Sequence, residues 1–328
     1  MTSARWPRCS PPEDAPLKAR VAVALMLLAL GTPRAVLATC LQTPVGRDVP
    51  TALILTGGGA KGAYEAGALA AFAERGLPIR LVAGSSAGAL SAAMVVAGRA
   101  DRLEAMWRTL KREQVYSLRA PIFFAGLLPG WLTLRALGGA SSLLDPQPLR
   151  ELITAAVEFE RIRSSPIGLL VTATDMIRRQ TRAFDNHTVT VEVLVASAAV
   201  PGLFPAVPVD GALLVDGGLT GRAPVLEALD AAPVARALVV LSYAPDEQSV
   251  PATTIRRALE EAFETTMLHQ IHRDVELARL KHPTIDIQIL TPSAPLKLRP
   301  LDFDPDGISR ALALGRTDAQ TCLDTLGN

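Results

Sequence analysis

A chain of 328 residues with 33 basic and 32 acidic side chains carries a net charge of +1, which excludes bulk electrostatic attraction to nucleic acid. Apolar residues make up 49% and charged residues 20%, a composition that excludes disorder and allows a large core. Sheet-and-helix folds of about 250 residues are often single domains, and no internal repeat or low-complexity segment divides this chain, so residues 50–328 are expected to form one domain.

Residues 1–38 read as a targeting segment. Arg5, Arg8, Lys18 and Arg20 precede the apolar run Val21–Leu30, and Gly31, Pro33 and a small-residue cleavage site at Val36-Leu-Ala38 follow. The run is too short for a membrane span, and the order is that of a signal peptide. The n-region is long and holds Glu13 and Asp14, which leaves room for a later start. A second reading stays open, because Leu37-Ala38-Thr39-Cys40 resembles a bacterial lipoprotein box, with Thr39 in place of the usual Gly, Ala or Ser. Export is expected on either reading, to the periplasm, the medium or, through Cys40, a membrane anchor. Cys9 is lost on processing, while Cys40 and Cys322 could pair in an oxidising compartment.

The apolar run from Leu53 breaks into Gly57-Gly-Gly-Ala-Lys-Gly62 and continues as a small-residue helix over 60–74. A second strand, Ile79–Ala83, breaks into Gly84-Ser-Ser-Ala-Gly88 and continues as a helix over 87–97. Two strand–turn–helix units in succession predict a three-layer α/β fold, a mostly parallel central sheet flanked by helices. Gly57-x-Gly59-x-x-Gly62 also fits the dinucleotide fingerprint, which expects an acid about 20 residues on to hold the ribose. The second strand ends in Gly84-Ser85-Ser86 instead, and no Gly-Lys-Ser/Thr completes a phosphate loop. What remains is a row of backbone N–H groups at Gly57, Gly58 and Gly59 suited to an oxyanion. Gly84-x-Ser86-x-Gly88 fits the nucleophile elbow, in which glycines let helix and strand pass closely and the helix N-terminus faces developing negative charge. Ser85 is expected to point away from the mouth of the elbow and to be structural.

From Asp101 to Ser117, Leu103, Met106, Trp107 and Leu110 fall on one helical face. Pro121–Ala140 is almost wholly apolar and broken by proline and glycine, so it cannot be one long helix. It reads either as a buried connection or as an apolar lid, acyl-chain wall or lipid-touching surface. Asp145-Pro146 opens a helix, Ile167–Thr174 has the length and character of a buried parallel strand, and Thr188–Val200 reads as a helix closed by Pro201-Gly202. Asp210-Gly211 between two apolar runs is a hairpin turn. Asp216, followed by Gly217 and Gly218 at the end of the second run, is from position alone either a turn residue or a base for Ser86.

Gly57–Gly62, Gly84–Gly88, Ala196-Ser-Ala-Ala-Val-Pro-Gly202 and Asp216-Gly-Gly218, in this order, resemble the patatin-like phospholipase family. The likeness covers about Leu53 to Val240, with support at Leu144–Leu149 and Thr172–Asp175. It implies a Ser–Asp dyad without a catalytic histidine: Ser86 as nucleophile, Asp216 as base and the Gly57–Gly59 backbone as oxyanion hole. Lys61 stands where the family usually has Arg or Lys, and Gly62, Gly84, Gly88, Gly217 and Gly218 complete the motifs. Arg222 departs from the asparagine often found before the Xaa-Pro that follows, here Ala223-Pro224, and bears on how the loop around Asp216 is supported.

Beyond Pro224 a short helix, a strand over Ala237–Ser242, a long charged outer helix over about 253–281, a strand over Ile285–Leu290 and a closing helix over Ile308–Thr325 are expected. His269 and His272 stand one helical turn apart, but no third ligand accompanies them, so neither metal nor cofactor is assigned. The resulting expectation is a serine lipid acyl hydrolase acting on fatty-acyl esters at a membrane or micelle surface. Its alternatives are an α/β-hydrolase using His269, His272 or His282 in a triad, and a silent lipid-binding protein.

Overall fold

In the computed structural model, which describes residues 49–125, 130–221, 223–244 and 251–325, the run Thr51–Leu55 is buried along its whole length as strand β1. Residues 1–38, read above as a targeting segment, Cys40 and Arg222 lie outside the described residues. After β1 come α1 (Gly62–Glu74), β2 (Ile79–Gly84), α2 (Ala87–Val96), α3 (Ala100–Thr109), β3 (Ser117–Leu118), α4 (Ala120–Ala125), α5 (Gly130–Gly139) and β4 (Leu144–Asp145). Next are α6 (Gln147–Ala156), α7 (Phe159–Arg163), β5 (Gly168–Asp175), β6 (Gln180–Phe184), α8 (Val191–Ser197), β7 (Val207–Val209) and β8 (Ala212–Asp216). The chain then adds α9 (Val225–Ala231), β9 (Arg236–Val240), α10 (Ile255–Lys281), β10 (Asp286–Leu290) and α11 (Pro305–Thr325).

The main sheet runs β10-β9-β1-β2-β5-β8-β7. Its first five strands pair in parallel, as the alternation of strands and helices requires, and beyond β5 the pairing turns antiparallel. The sheet is therefore mixed. β6 also pairs with β5, over Val171–Asp175. Since β8 holds the opposite edge of β5 there, β6 occupies the edge that β2 vacates beyond Val171. The three layers are visible within β1 alone: Leu53 and Leu55 join one apolar core, and Ala52 and Ile54 join another on the opposite face.

Three elements depart from their sequence patterns for local reasons. The helix expected to reach Ser117 stops at Thr109, with Leu110 extended, because Leu110 and Val115 turn into the wall of a cavity. The helix expected from Thr188 starts at Val191, because the Asp185 carboxylate takes the N–H groups of His187 and Thr188 at 3.0 Å each. Helix α10 is solvated on one side only, since Met267, Ile271, Val275 and Ala278 form a buried stripe. The hairpin turn is as read: Asp210 and Gly211 both have left-handed φ, 46° and 72°.

Candidate active site

Ser86 sits between β2 and α2 with φ 55° and ψ −131°, a conformation that costs a non-glycine residue about 1–3 kcal/mol and persists only where its surroundings enforce it. Two features enforce it. A Cβ on Gly84 would lie 2.6 Å from the Gly88 carbonyl, and one on Gly88 would lie 2.9 Å from Leu55 Cβ, so strand and helix cross at a distance only glycine permits. The Ser86 N–H donates to both the carbonyl and the hydroxyl oxygen of Ser197, at 3.1 and 3.0 Å. The Ser197 hydroxyl in turn donates to the Thr172 carbonyl on β5, at 2.7 Å. Ser85 is fully buried.

Asp216 ends β8 opposite Ala173, two residues beyond Val171, which pairs with Gly84. Its carboxylate accepts the Gly218 N–H at 2.8 Å. Its own N–H donates to the Ala199 carbonyl at 3.0 Å, and its carbonyl accepts the Thr174 hydroxyl at 2.9 Å. Residues 197–199 at the end of α8 therefore hold both elbow and acid. A Cβ on Gly217 would meet the Thr172 carbonyl oxygen at 2.4 Å, which fixes glycine after the acid.

The first glycine turn is held from inside. Gly57, Gly58 and Gly59 have φ of 68°, 119° and 60°. The buried Glu65 on α1 accepts the N–H groups of Thr56 and Gly57 at 2.8 Å each, and the Thr56 hydroxyl at 3.0 Å. The expectation for Gly57 is corrected accordingly: its single N–H is given to Glu65 and is not open to an oxyanion. From outside, the Pro300 carbonyl accepts the Ala60 N–H at 2.8 Å, and the Ser242 hydroxyl donates to the Gly57 carbonyl. Lys61 is buried, with Nζ 3.2 Å from Glu264 and 4.2 Å from the Tyr243 ring centre. It is a brace tying the turn to α10.

Ser86, Asp216, Gly58, Gly59 and Gly218 open onto one cavity of about 1150 Å³. Its walls are mostly apolar, from Leu90 and Trp107 through Leu149 and Ile153 to Phe204 and Phe263. From the stretch Pro121–Ala140, Ile122 on α4 reaches this wall. None of the histidines lines it: His187 lies in a turn, His269 and His272 on α10, and His282 caps that helix near Asp230. Among the described residues no three His, Cys, Asp or Glu side chains are gathered to hold a metal. Cys322 on α11 is buried. Sequence reasoning missed the roles of Glu65 and Ser197. The only signals were an acid in the first turn of a helix of small residues, and a serine inside Ala196–Gly202.

The patatin-like phospholipase family model matches residues 53–229. An uncharacterised NTE family protein of Mycobacterium bovis is 32% identical over 185 residues, 56% of this chain and 45% of that protein. A patatin-like phospholipase domain-containing protein of Caenorhabditis elegans is 28% identical over 175 residues, 52% of this chain and 12% of that one. The chain thus spans less than half the length of these relatives. Among solved structures, VipD from Legionella pneumophila has a TM-score of 0.47 at 15% identity, covering 91% of this chain and 73% of its own. The two glycine turns, Ser86, Ser197 and Asp216 all fall inside the matched residues, and the chain belongs to the patatin-like phospholipase family.

Proposed function

We propose that the protein hydrolyses fatty-acyl esters of lipids through Ser86 and Asp216. The observation that carries this reading is a serine held at a strained elbow, with a buried carboxylate, opening on one apolar cavity of about 1150 Å³. Ligand pockets commonly measure about 300–1,000 Å³, so a chain as long as a fatty acyl group fits here. Asp216 takes the proton as Ser86 Oγ attacks the ester carbonyl, and the Gly58 and Gly59 amides, with the N-terminus of α2, stabilise the oxyanion. Collapse releases the alcohol as an acyl-enzyme forms, and water attacks that ester to free the fatty acid and restore Ser86. A histidine triad has no support, since no histidine borders the cavity. Action after export rests on the order of basic stretch, apolar run and small-residue site over residues 5–38, and fractionation of cells making the protein would test it.

The experiment is release of fatty acid from a fluorogenic short-chain ester and from a phospholipid panel. Loss in both Ser86→Ala and Asp216→Asn, with melting curves unchanged, is the expected result. Activity surviving in Ser86→Ala overturns the mechanism, and a folded but inactive wild type returns the protein to silent lipid binding.

A further inference from the structure

Nine large apolar side chains are exposed among the described residues, and seven of these fall in two groups, one over residues 118–143 and one on the hairpins that end β5 and begin β8. Four belong to β3 and the chain that joins it to β4. Leu118 and Leu143 border the cavity while showing a third or more of their surface, Phe123 follows the wall residue Ile122, and Trp131 is on α5, which packs on α4.

The other three sit on hairpin tips. β5 continues from Val171, the partner of Gly84, to Asp175, about 13 Å beyond the end of β2 at 3.3 Å per residue. The turn that follows therefore stands outside the level of Asp216, which pairs with Ala173. It carries Met176 and Ile177, 46% and 68% exposed. Leu213 is beside them, its carbonyl accepting the Met176 N–H at 3.0 Å. The turn is built rather than loose: the buried Asp175 carboxylate accepts the N–H groups of Ile177 and Arg178 at 2.9 and 3.0 Å. These bonds, together with the Arg178 guanidinium, hold it below the usual carboxylate range.

Charge points the same way. Residues 117–145, 175–184 and 207–216 contain five arginines, Arg119, Arg135, Arg178, Arg179 and Arg182, against four aspartates, Asp145, Asp175, Asp210 and Asp216. Asp175 is paired with Arg178 at 3.0 Å and Asp216 is buried, which leaves the exposed Arg179 beside the Met176-Ile177 tip. Apolar tips flanked by arginines suit an interface in which the tip enters the acyl boundary and the guanidiniums meet phosphates.

We propose that this surface docks on an anionic lipid bilayer, with the Met176-Ile177 turn, which leaves β5 two residues beyond the level of the cavity residue Asp216, entering the interface. The proposal rests on the lipid-ester reading above and adds where the lipid surface is met. The test is flotation of the full chain with phosphatidylglycerol-containing and with purely phosphatidylcholine vesicles, alongside short-chain ester hydrolysis in free solution. Met176→Ser/Ile177→Ser is expected to bind anionic vesicles about tenfold or more weakly, and Arg179→Gln about fivefold more weakly. Both should hydrolyse the soluble ester at the wild-type rate, and Ser86→Ala should bind vesicles normally while hydrolysing nothing. Vesicle binding unchanged in the double variant overturns the proposal, as does wild-type protein that floats with neither vesicle. So does a dimer in sedimentation that the double variant abolishes, which would assign the face to a second copy. A soluble ester left intact by wild-type protein that still floats would instead remove the hydrolase reading and leave the docking surface standing.

Discussion

Glu65→Ala tests whether the first glycine turn depends on a carboxylate that no substrate touches. The side chain accepts three hydrogen bonds on one oxygen, two of them from the buried N–H groups of Thr56 and Gly57. Each buried donor left unpaired costs about 1–3 kcal/mol, so two cost about 2–6. Water entering the space vacated by the side chain would recover part of this, and about 2–4 kcal/mol is the expected net loss. For a domain of this size that corresponds to a fall in Tm of about 4–16 °C. The catalytic effect should be larger in proportion. With all three turn glycines at positive φ, the loop keeps its shape through bonds to its neighbours, and losing aligned donors is worth about 10²–10³ in kcat. Glu65→Gln keeps an acceptor oxygen, and should recover most of the rate and part of the Tm. The assay is kcat and KM on a soluble short-chain ester together with thermal melts. A Glu65→Ala protein that melts early but retains wild-type kcat would refute the reasoning, since the donors would then be placed without Glu65.

Three further outcomes follow from the same geometry. Ser197→Ala leaves the Thr172 carbonyl without its 2.7 Å donor and removes one of two acceptors from the Ser86 N–H. It should lower kcat about tenfold at constant KM and cost about 1–3 kcal/mol in denaturant melts. Gly217→Ala forces a Cβ to within 2.4 Å of the Thr172 carbonyl oxygen; its hydrolysis rate should fall about a hundredfold or more, and a rate within threefold of wild type would show that β8 has room to shift. Asp274, half-buried on α10, has its carboxyl pushed up to about 6 by burial and by Glu227. A carboxyl with a folded pKa above its unfolded value is bound to its proton more tightly in the native state, so its ionisation removes stability as pH rises through about 4 to 6. After allowance for solvent screening, Asp274→Asn should therefore stabilise by about 1 kcal/mol at pH 8 and by nothing at pH 3.5, measured as urea midpoints.

The parts of the site that sequence displays are those governed by local sterics. Gly84 and Gly88 are legible because an elbow between a strand and a helix leaves no space for a Cβ. The Asp210-Gly211 turn is legible because both its residues need left-handed φ. The parallel middle of the sheet follows from strands alternating with helices. The antiparallel edge does not, because β6 follows β5 with no helix between them and β8 returns to β5 as the second strand of a hairpin. The boundary of α3 was hidden as well: Leu110 keeps helical spacing with Leu103 and Trp107, yet it serves the cavity rather than a helix face.

What sequence does not display is which donor is already taken. Three adjacent glycines read as three equivalent amides, and only the placement of Glu65 eight residues on removes Gly57 from the set. The same holds for the alignment of Ser86 with Asp216. In a triad, a histidine bonded to both neighbours would fix that alignment. Here the proposed pair has no such intermediary, and the main chain does the aligning. Ser197 takes the Ser86 N–H and Ala199 takes the Asp216 N–H, so nucleophile and acid are referred to one three-residue segment. A displacement of the end of α8 would then move both anchors together and preserve their spacing, whereas a change within residues 197–199 would alter it. The stretch Ala196–Gly202 is thus explained by what it holds apart and together, although the proposed reacting groups belong to Ser86 and Asp216.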